Sequence, residues 1–385
     1  MKRWMVLILM AALLLALAAC GNQVTLDKDT LPPLESASAV PDKTASPTAK
    51  GGSTVIYSET LANDLLAEVS DNGSLRLSGG NVTENLKNNT LLAGYIPSIT
   101  SIEIGNGVEI IGEKAFSGFE YLTSVSMGGD VKRVEYSAFS DCVSISNISF
   151  GKNLEYIGDY AFSGCVSLRD ASLGGTLKEL GSYAFSNCSA LMNVNFGAAL
   201  EKMGNNVFSG CGSLVSVRFA CNVPDSALRD CASLETVTLD DGVVSIGERA
   251  FSGCVNLENV SLGSSLKTIG DSAFSGCVSL SKIALPESVE ELCERCFSGC
   301  TAIIKLQLPE GVKTLGERVF MDCENLEELR LPKSLENIGF RCLENTFSLQ
   351  RLHFAGTQKE WNNVKKASGW SEGAGVTYIT KYLGS

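Results

Sequence analysis

Residues 254–277 read CVNLENVSLGSSLKTIGDSAFSGC, and this stretch returns with small changes along most of the chain. Its clearest marker is a phenylalanine that recurs every 23 residues, with a leucine in its place at two positions. The full series is Phe116, Phe139, Phe162, Phe185, Phe208, Leu228, Phe251, Phe274, Phe297, Phe320 and Leu343. A fixed period in the twenties is typical of a solenoid, because each repeat exposes an apolar face that only its neighbours bury.

The apolar positions within one repeat predict how each coil folds. Val260 and Leu262 are two residues apart, which indicates a short strand with one inward face. The segment 271–275 is interpreted as a single helical turn that buries the marker phenylalanine. Stacked copies then give a parallel β-sheet on one side and short helical turns on the other, at about 4.8 Å per coil. We expect about eleven such coils over residues 99–354.

Two copies show the repeat in its fullest form: residues 157–165 (IGDYAFSGC) and residues 269–277 (IGDSAFSGC). The recurring pattern Ile-Gly-x-x-Ala-Phe-x-x-Cys-x-x-Leu resembles the BspA-like, or Treponema pallidum-type, leucine-rich repeat family. Phe119 and Thr346 depart from it, since they stand where the cysteine is expected. The resemblance implies a bacterial surface protein, because several members act in adhesion or in binding host or microbial partners. It transfers no catalytic residue to this chain.

The segments that flank the repeats are similar to the caps of the same family. Residues 66–79 are similar to its N-terminal cap, and Asp71-Asn72-Gly73 within them is interpreted as a hairpin turn. Residues 354–357, followed by Trp361, are similar to its C-terminal ending. The expected regions are an N-terminal cap at residues 55–98, leucine-rich repeats at 99–354 and a C-terminal cap at 355–385.

The first nineteen residues have the organisation of a secretory signal peptide. Lys2 and Arg3 precede an apolar run, and small residues follow it. The end of this segment, Leu17-Ala18-Ala19-Cys20, resembles the bacterial lipobox, in which the cysteine is lipidated and becomes the mature N-terminus. We therefore expect a lipoprotein anchored at Cys20 on the extracytoplasmic side of the bacterial envelope. An ordinary signal peptide with a chance cysteine is the alternative, and the choice between inner and outer membrane stays open.

The segment 20–54 is rich in Pro, Ser, Thr and Ala and reads as a flexible linker behind the lipid. Removal of residues 1–19 takes away Lys2 and Arg3, so the net charge of −12 loses two positive charges and becomes −14. An acidic protein of this kind is a poor partner for nucleic acid and for anionic lipid. Attachment to the membrane is therefore expected through the N-terminal lipid only.

Cysteine is unusually frequent, with fourteen residues in the chain. Nine of them stand three positions after the marker: Cys142, Cys165, Cys188, Cys211, Cys231, Cys254, Cys277, Cys300 and Cys323. A small, apolar thiol suits a crowded interior column, and stacked coils hold the side chains parallel, which is poor geometry for a disulfide. We predict a ladder of buried free thiols.

A possible redox or metal-binding motif is formed by the spacing Cys293-x-x-Cys296-x-x-x-Cys300. Its register in the repeat explains most of this spacing, because Cys296 replaces the alanine of other copies and Cys300 belongs to the ladder. A structural zinc site needs about four convergent ligands, and His353 is the only histidine in the chain. We expect no metal and no cofactor. A local disulfide that involves Cys221, Cys293, Cys296 or Cys342 stays open.

A single histidine argues against Ser-His-Asp, Cys-His and His-metal catalysis. Carboxylate pairs such as Asp240-Asp241 are present, but they fall on strand edges and connecting arms, where charged side chains keep the surface solvated. The sequence contains no phosphate-binding or dinucleotide motif at a strand-to-helix junction. We expect a protein that is not an enzyme.

The outward positions of the predicted sheet change in character along the chain. The N-terminal two-thirds carries small hydroxyl and amide side chains, whereas the last coils carry long ones. The candidate ligand-binding residues are Lys282, Lys305, Gln307, Arg330, Arg351 and His353. Basic groups on an acidic protein are a plausible contact for an acidic ligand. The alternative is that long polar side chains simply keep an exposed sheet soluble.

One repeat, residues 209–231, is three residues short and contains Pro224. It predicts either a functional notch or a tolerated deletion. The sequence as a whole indicates a non-catalytic surface lipoprotein that binds an extracellular protein partner through its sheet. A glycan-binding accessory lipoprotein and a structural scaffold of the cell envelope are the alternatives.

Overall fold

The computed structural model describes residues 53–384, and each coil there contributes one strand to a wide parallel sheet, called the front sheet below. The strands of the twelve coils are Ser101–Ile104, Ser124–Met127, Asn147–Ser149, Asp170–Ser172, Asn193–Asn195, Ser216–Phe219, Thr236–Leu239, Asn259–Ser261, Lys282–Ile283, Lys305–Gln307, Glu328–Leu331 and Arg351–Phe354, and Lys381–Tyr382 of the C-terminal segment adds one more strand. Pairing joins equivalent residues of successive repeats, as between Val237 and Val260, and the ladder is interrupted after Asn147–Ser149, Asn193–Asn195 and Lys282–Ile283. The parallel-sheet solenoid predicted from the 23-residue period is confirmed, with twelve coils where about eleven were expected.

A second, narrow parallel sheet runs along another side of the coils and is called the side sheet below. Its first ladder joins Ile110–Ile111, Arg133–Val134, Tyr156–Ile157, Glu179–Leu180 and Lys202–Met203. Its second ladder joins Ser245–Ile246, Thr268–Ile269, Glu291–Leu292, Thr314–Leu315, Asn337–Ile338 and Lys365–Lys366. This sheet was not predicted, because each of its strands has only two residues.

The short repeat interrupts the side sheet, while its front-sheet strand stays paired with the strand of the next coil. Ser216–Phe219 pairs in full register with Thr236–Leu239, although these strands are 20 residues apart in sequence. In the side sheet, the pairing between these coils is reduced to an isolated bridge between Val223 and Ile246. The short repeat therefore lacks three residues of the segment that forms the side-sheet strand in the other coils.

The segment expected to form a helical turn is a pair of tight turns. Ser272 has a φ of +55°, which lies outside the right-handed helical region. The amides of Ser272 and Phe274 donate to the carbonyls of Glu294 and Cys296 in the next coil, at 2.7 and 2.8 Å. Stacking thus satisfies backbone groups that an isolated helical turn would leave unpaired. Among the described residues, only Gln358–Asn363 forms an α-helix, and Ala62–Asp64, Leu86–Asn88 and Ile96–Ser98 are short 3₁₀ turns.

The marker phenylalanines form two stacks in the core, one from Phe116 to Phe208 and one from Phe251 to Phe320. Phe274 is completely buried and lies between Phe251 and Phe297, with ring centroids 5.1 and 5.5 Å away. The stacks are separated at the short repeat, where Leu228 takes the phenylalanine position and Phe219 packs edge-on against Phe251. Each coil therefore depends on both neighbours for the burial of its largest side chain.

The predicted ladder of buried thiols is confirmed. All nine ladder cysteines are buried and free, and each donates its thiol to a backbone carbonyl of the preceding coil, as Cys277 does to Phe251 at 3.2 Å. Burial raises the pKa of the Cys254 thiol to about 12. Cys221 and Cys293 are half-buried free thiols, so the structure holds no disulfide at either position. Within residues 53–384, no three His, Cys, Asp or Glu side chains cluster as metal ligands.

Both ends of the described chain close the stack. The strands Val55–Thr60, Leu66–Ser70 and Ser74–Ser78 form an antiparallel unit, and the third pairs in parallel with Ser101–Ile104. Asp71-Asn72-Gly73 is the predicted hairpin turn, with Gly73 at a φ of +79°. At the other end, Trp361 packs on Phe354 with a centroid distance of 5.2 Å.

Residues 1–52 lie outside the described part of the chain. The predictions of a signal peptide, of lipidation at Cys20 and of a linker over residues 20–54 therefore remain predictions. Within residues 53–384, no helix has the length and apolar character to cross a membrane.

Candidate ligand-binding surface

The structure places the six predicted ligand-binding residues on the outward face of the last front-sheet strands. Register puts them in two rows along the solenoid. One row contains Lys305, Glu328 and Arg351, and the other contains Gln307, Arg330 and His353. Lys282 lies on the preceding strand. These residues therefore share one surface, but an acidic residue, Glu328, stands in the middle of it.

Glu328 forms ion pairs with two of the predicted cations. Arg330 donates from Nε to its Oε1 at 2.8 Å, and Arg351 donates from Nε to its Oε2 at 3.0 Å. Arg351 also lies 3.6 Å from a carboxylate oxygen of Glu327. The hydrogen bonds from the two arginines lower the pKa of the Glu328 carboxyl, whose side chain is only 12% exposed. These arginines are therefore engaged within the protein.

His353 completes this cluster without a hydrogen bond to it. Its Nδ1 is buried, lies 3.8 Å from Glu328 Oε1 and has no hydrogen-bond partner. Desolvation lowers the pKa of His353, and the neighbouring cations Arg330, Lys381 and Arg351 lower it further, whereas Glu328 acts in the opposite direction. The imidazole is therefore neutral at pH 7.

Lys282 and Lys305 differ from the arginines because their charges are unpaired. Both are exposed, and neither has a carboxylate within 4.0 Å among residues 53–384. They line one rim of an open depression of about 550 Å³ on the front sheet. The depression brings these two predicted residues together and does not include Gln307, Arg330, Arg351 or His353.

The floor of the depression is apolar. The apolar surface that a ligand could reach there belongs to Val260 and Ile283, which are only half-buried, whereas Val237 is completely buried. At this point the hydrogen-bonded ladder of the front sheet stops, because Lys282–Ile283 pairs with Asn259–Ser261 and not with Lys305–Gln307. The polar side chains of Asn259 and Ser261 border the same space. The site thus combines two free cations, hydrogen-bonding groups and exposed aliphatic surface.

A second depression, of about 450 Å³, lies at the N-terminal end of the front sheet. It is lined mainly by small polar side chains, including Ser101, Ser126 and Asn147. The acidic residue in its lining, Glu103, has Arg76 at 3.7 Å. This site offers hydrogen bonds but no unpaired cation among its lining residues.

The position of Glu328 between the candidate cations could have been predicted from the sequence, but the sequence analysis considered only the basic side chains of this surface. Glu328 stands 23 residues after Lys305 and 23 before Arg351, so the repeat itself places it between them. The apolar floor carried no such signal. Val260 and Ile283 occupy inward positions of the pattern, yet both are only half-buried, and Ile283 stands on the last strand before the break in the ladder.

The repeat also identifies the family of the chain. The BspA type leucine-rich repeat region matches residues 92–215 and 221–362, in 6 copies. The chain belongs to the BspA-type leucine-rich repeat family. The architecture of this family, a stack of coils with a wide exposed sheet, is consistent with a scaffold for protein interaction.

Three solved structures are similar to this BspA-type chain. A leucine-rich repeat protein from Eubacterium ventriosum is 20% identical, with a TM-score of 0.48, 86% of this chain and 97% of that chain covered. The leucine-rich repeat protein of T. pallidum is 24% identical, with a TM-score of 0.38 and coverage of 58% and 90%. The pneumococcal vaccine antigen PcpA is 18% identical, with a TM-score of 0.46 and coverage of 85% and 93%. The comparison with curated proteins found no match.

Proposed function

We propose that the chain is a non-catalytic, lipid-anchored protein of the bacterial cell surface that holds an extracellular partner on its front sheet. The family and the signal-like N-terminus support an extracytoplasmic location. The observation that carries the proposal is the depression at Lys282 and Lys305, because it exposes two unpaired cations beside apolar surface on an otherwise acidic protein. Such a site attracts an acidic partner and also offers it area to bury.

The test is a binding screen of the full-length protein, purified in mild detergent, against extracellular matrix proteins and a glycan array. Each ligand that binds is tested again with the double variant Lys282→Ser/Lys305→Ser. The matched control is Lys359→Ser/Lys365→Ser, which removes the same charge from two exposed lysines outside the front sheet. Loss of binding in the first variant but not in the second supports the proposal. Equal binding by both variants moves the site elsewhere, and the absence of any ligand favours the envelope scaffold.

The lipid anchor has a separate test. The variant Cys20→Ala removes the acceptor thiol, so we expect the protein to leave the membrane fraction and to lose the lipid mass at its mature N-terminus. A mature N-terminus other than Cys20 in the unsubstituted protein, with no lipid attached, would instead establish an ordinary signal peptide.

A further inference from the structure

We propose that the depression at Lys282 and Lys305 takes an extended acidic peptide segment that carries one apolar residue. This inference rests on the proposed function and names the class of partner. The ligand lies along the solenoid axis, across the front-sheet strands, with its carboxylates on the two lysines and its apolar side chain on the floor formed by Val260 and Ile283.

The charge of the ligand follows from which cations are free. Arg330 and Arg351 are held by Glu328 at 2.8 and 3.0 Å, so a ligand that used them would first have to displace a carboxylate. Lys282 and Lys305 impose no such cost, because no carboxylate lies within 4.0 Å of either among the described residues. Two neighbouring ammonium groups are complementary to two neighbouring carboxylates.

The apolar part of the ligand follows from the floor. Val260 and Ile283 are core residues by pattern, but each is only half-buried, and Ile283 lies on the last strand before the break in the ladder. The small, exposed Ala284 leaves the space above them open. Burial of exposed aliphatic area contributes about 25 cal/mol per Å², which favours a ligand with an aliphatic or aromatic side chain.

The lining of the depression favours a peptide over a glycan. None of its lining residues is aromatic, so it offers no ring on which a sugar face stacks. Aliphatic floor residues bury a hydrocarbon side chain better than a hydroxyl-covered sugar, because buried hydroxyls need hydrogen-bond partners. The two lysines alone would bind an acidic peptide or an acidic glycan, and the apolar floor favours the peptide.

The spacing of the site gives a pattern for the peptide. Hydrogen-bonded coils are about 4.8 Å apart, which is a lower bound for the strands of Lys282 and Lys305 because these do not pair with each other, and residues i and i+2 of an extended peptide project from one face about 6.6 Å apart. The flexible stems of two lysines accommodate this difference. Since the half-buried Val260 lies one strand before Lys282, the floor continues on the N-terminal side of the lysines, and the matching pattern is apolar-x-acid-x-acid in either chain direction.

The experiment measures fluorescence anisotropy of a labelled peptide, Ser-Leu-Ser-Glu-Ser-Glu-Ser, with the full-length protein at low ionic strength. A peptide of the same composition, Glu-Leu-Ser-Ser-Ser-Ser-Glu, puts the acidic groups out of register, and a chondroitin sulfate oligosaccharide represents the glycan class. We expect the patterned peptide to bind about tenfold more tightly than the rearranged peptide or the oligosaccharide. Its binding should weaken as salt is added, because the lysines are exposed.

Two variants separate the charge from the floor. Lys282→Ser/Lys305→Ser is expected to weaken patterned-peptide binding about tenfold, which corresponds to two exposed ion pairs. Ala284→Phe fills the depression without a change in charge and is expected to weaken it by a similar factor. Lys359→Ser/Lys365→Ser should change it less than about twofold.

Each contrary outcome has a distinct meaning. Equal affinity for the two peptides, or unchanged binding in Ala284→Phe, would overturn the peptide pattern. If the oligosaccharide binds more tightly than the patterned peptide, and only Lys282→Ser/Lys305→Ser abolishes that binding, the ligand is not a peptide. The proposed function would remain intact. The proposed function fails only if no ligand of the wider screen depends on the front sheet.

Discussion

The substitution Phe274→Ala tests the stacked core, on which every other feature depends. Phe274 is completely buried and contacts a ring on each side, with centroid distances of 5.1 Å to Phe251 and 5.5 Å to Phe297. Replacement of a buried phenylalanine by alanine costs about 3–5 kcal/mol. Because two aromatic contacts of about 0.5–1.5 kcal/mol each are lost here, we expect the upper part of that range, about 4–5 kcal/mol.

Phe320→Ala is the internal comparison. Phe320 is equally buried but has a stacked phenylalanine on one side only, Phe297 at 6.0 Å, since Leu343 follows it in the series. The loss of unfolding free energy in Phe320→Ala should be smaller than in Phe274→Ala by the contribution of one aromatic contact, about 0.5–1.5 kcal/mol. Phe347→Ala is the surface control, because Phe347 is 63% exposed, and it should change stability by less than about 0.5 kcal/mol.

The assay is urea unfolding at pH 7.5, followed by far-ultraviolet circular dichroism and by fluorescence of Trp361 and Trp370 in the C-terminal cap. Coincident transitions with an unchanged m-value are required before the free energies of unfolding are compared. A cost below about 1.5 kcal/mol for Phe274→Ala, or one equal to that of Phe347→Ala, would refute the tightly packed phenylalanine stack.

Three further predictions concern the thiols and the acidic cluster. In the native protein, maleimide should label Cys221 and Cys293 and spare the nine ladder cysteines, whereas denaturant should expose all thirteen of the described residues; rapid native labelling of the ladder would contradict its burial. Cys254→Ser should cost only about 1–2 kcal/mol in urea unfolding, because the hydroxyl can still donate to the Leu228 carbonyl that the thiol meets at 3.1 Å; a neutral result would contradict the apolar column. Acid should destabilise the fold through two groups: His353, with its pKa lowered from 6.5, loses its contribution as the pH falls below that unfolded value, and Glu328, also lowered, loses its contribution as the pH falls through its folded pKa. His353→Gln should therefore flatten the loss of unfolding free energy between pH 7.5 and 5.5, and an identical pH profile in the variant would contradict the buried, neutral imidazole.

The 23-residue period was sufficient to predict the front sheet and the core columns. Most copies repeat the same inward residue types, such as Phe274 and Cys277, and the departures such as Leu228 keep the same position, so a single register explains all of them. The turns were harder, because adjacent alanine and phenylalanine fit one turn of helix as well as they fit a tight turn. The left-handed residue of that turn is Ser272, not glycine, and therefore gave no conformational signal.

The side sheet escaped prediction for a different reason. A two-residue strand such as Thr268–Ile269 is too short to show alternation, and its pairing depends entirely on the neighbouring coils. The location of the candidate site could be predicted from the sequence, but the pairing of its charges could not. Outward register located Lys305 and Arg351 correctly on one face, whereas only the three-dimensional arrangement shows that Glu328 engages the arginine and leaves the lysine free.

The central claim, that a partner binds at the two-lysine depression, is tested most directly by lysine footprinting. The full-length protein is treated with acetic anhydride in the presence and absence of the ligand retained by the screen, and modification is quantified by mass spectrometry. We expect the ligand to protect Lys282 and Lys305 and to leave Lys359 and Lys365 unprotected. Unchanged acetylation of Lys282 and Lys305 under saturating ligand would contradict the claim.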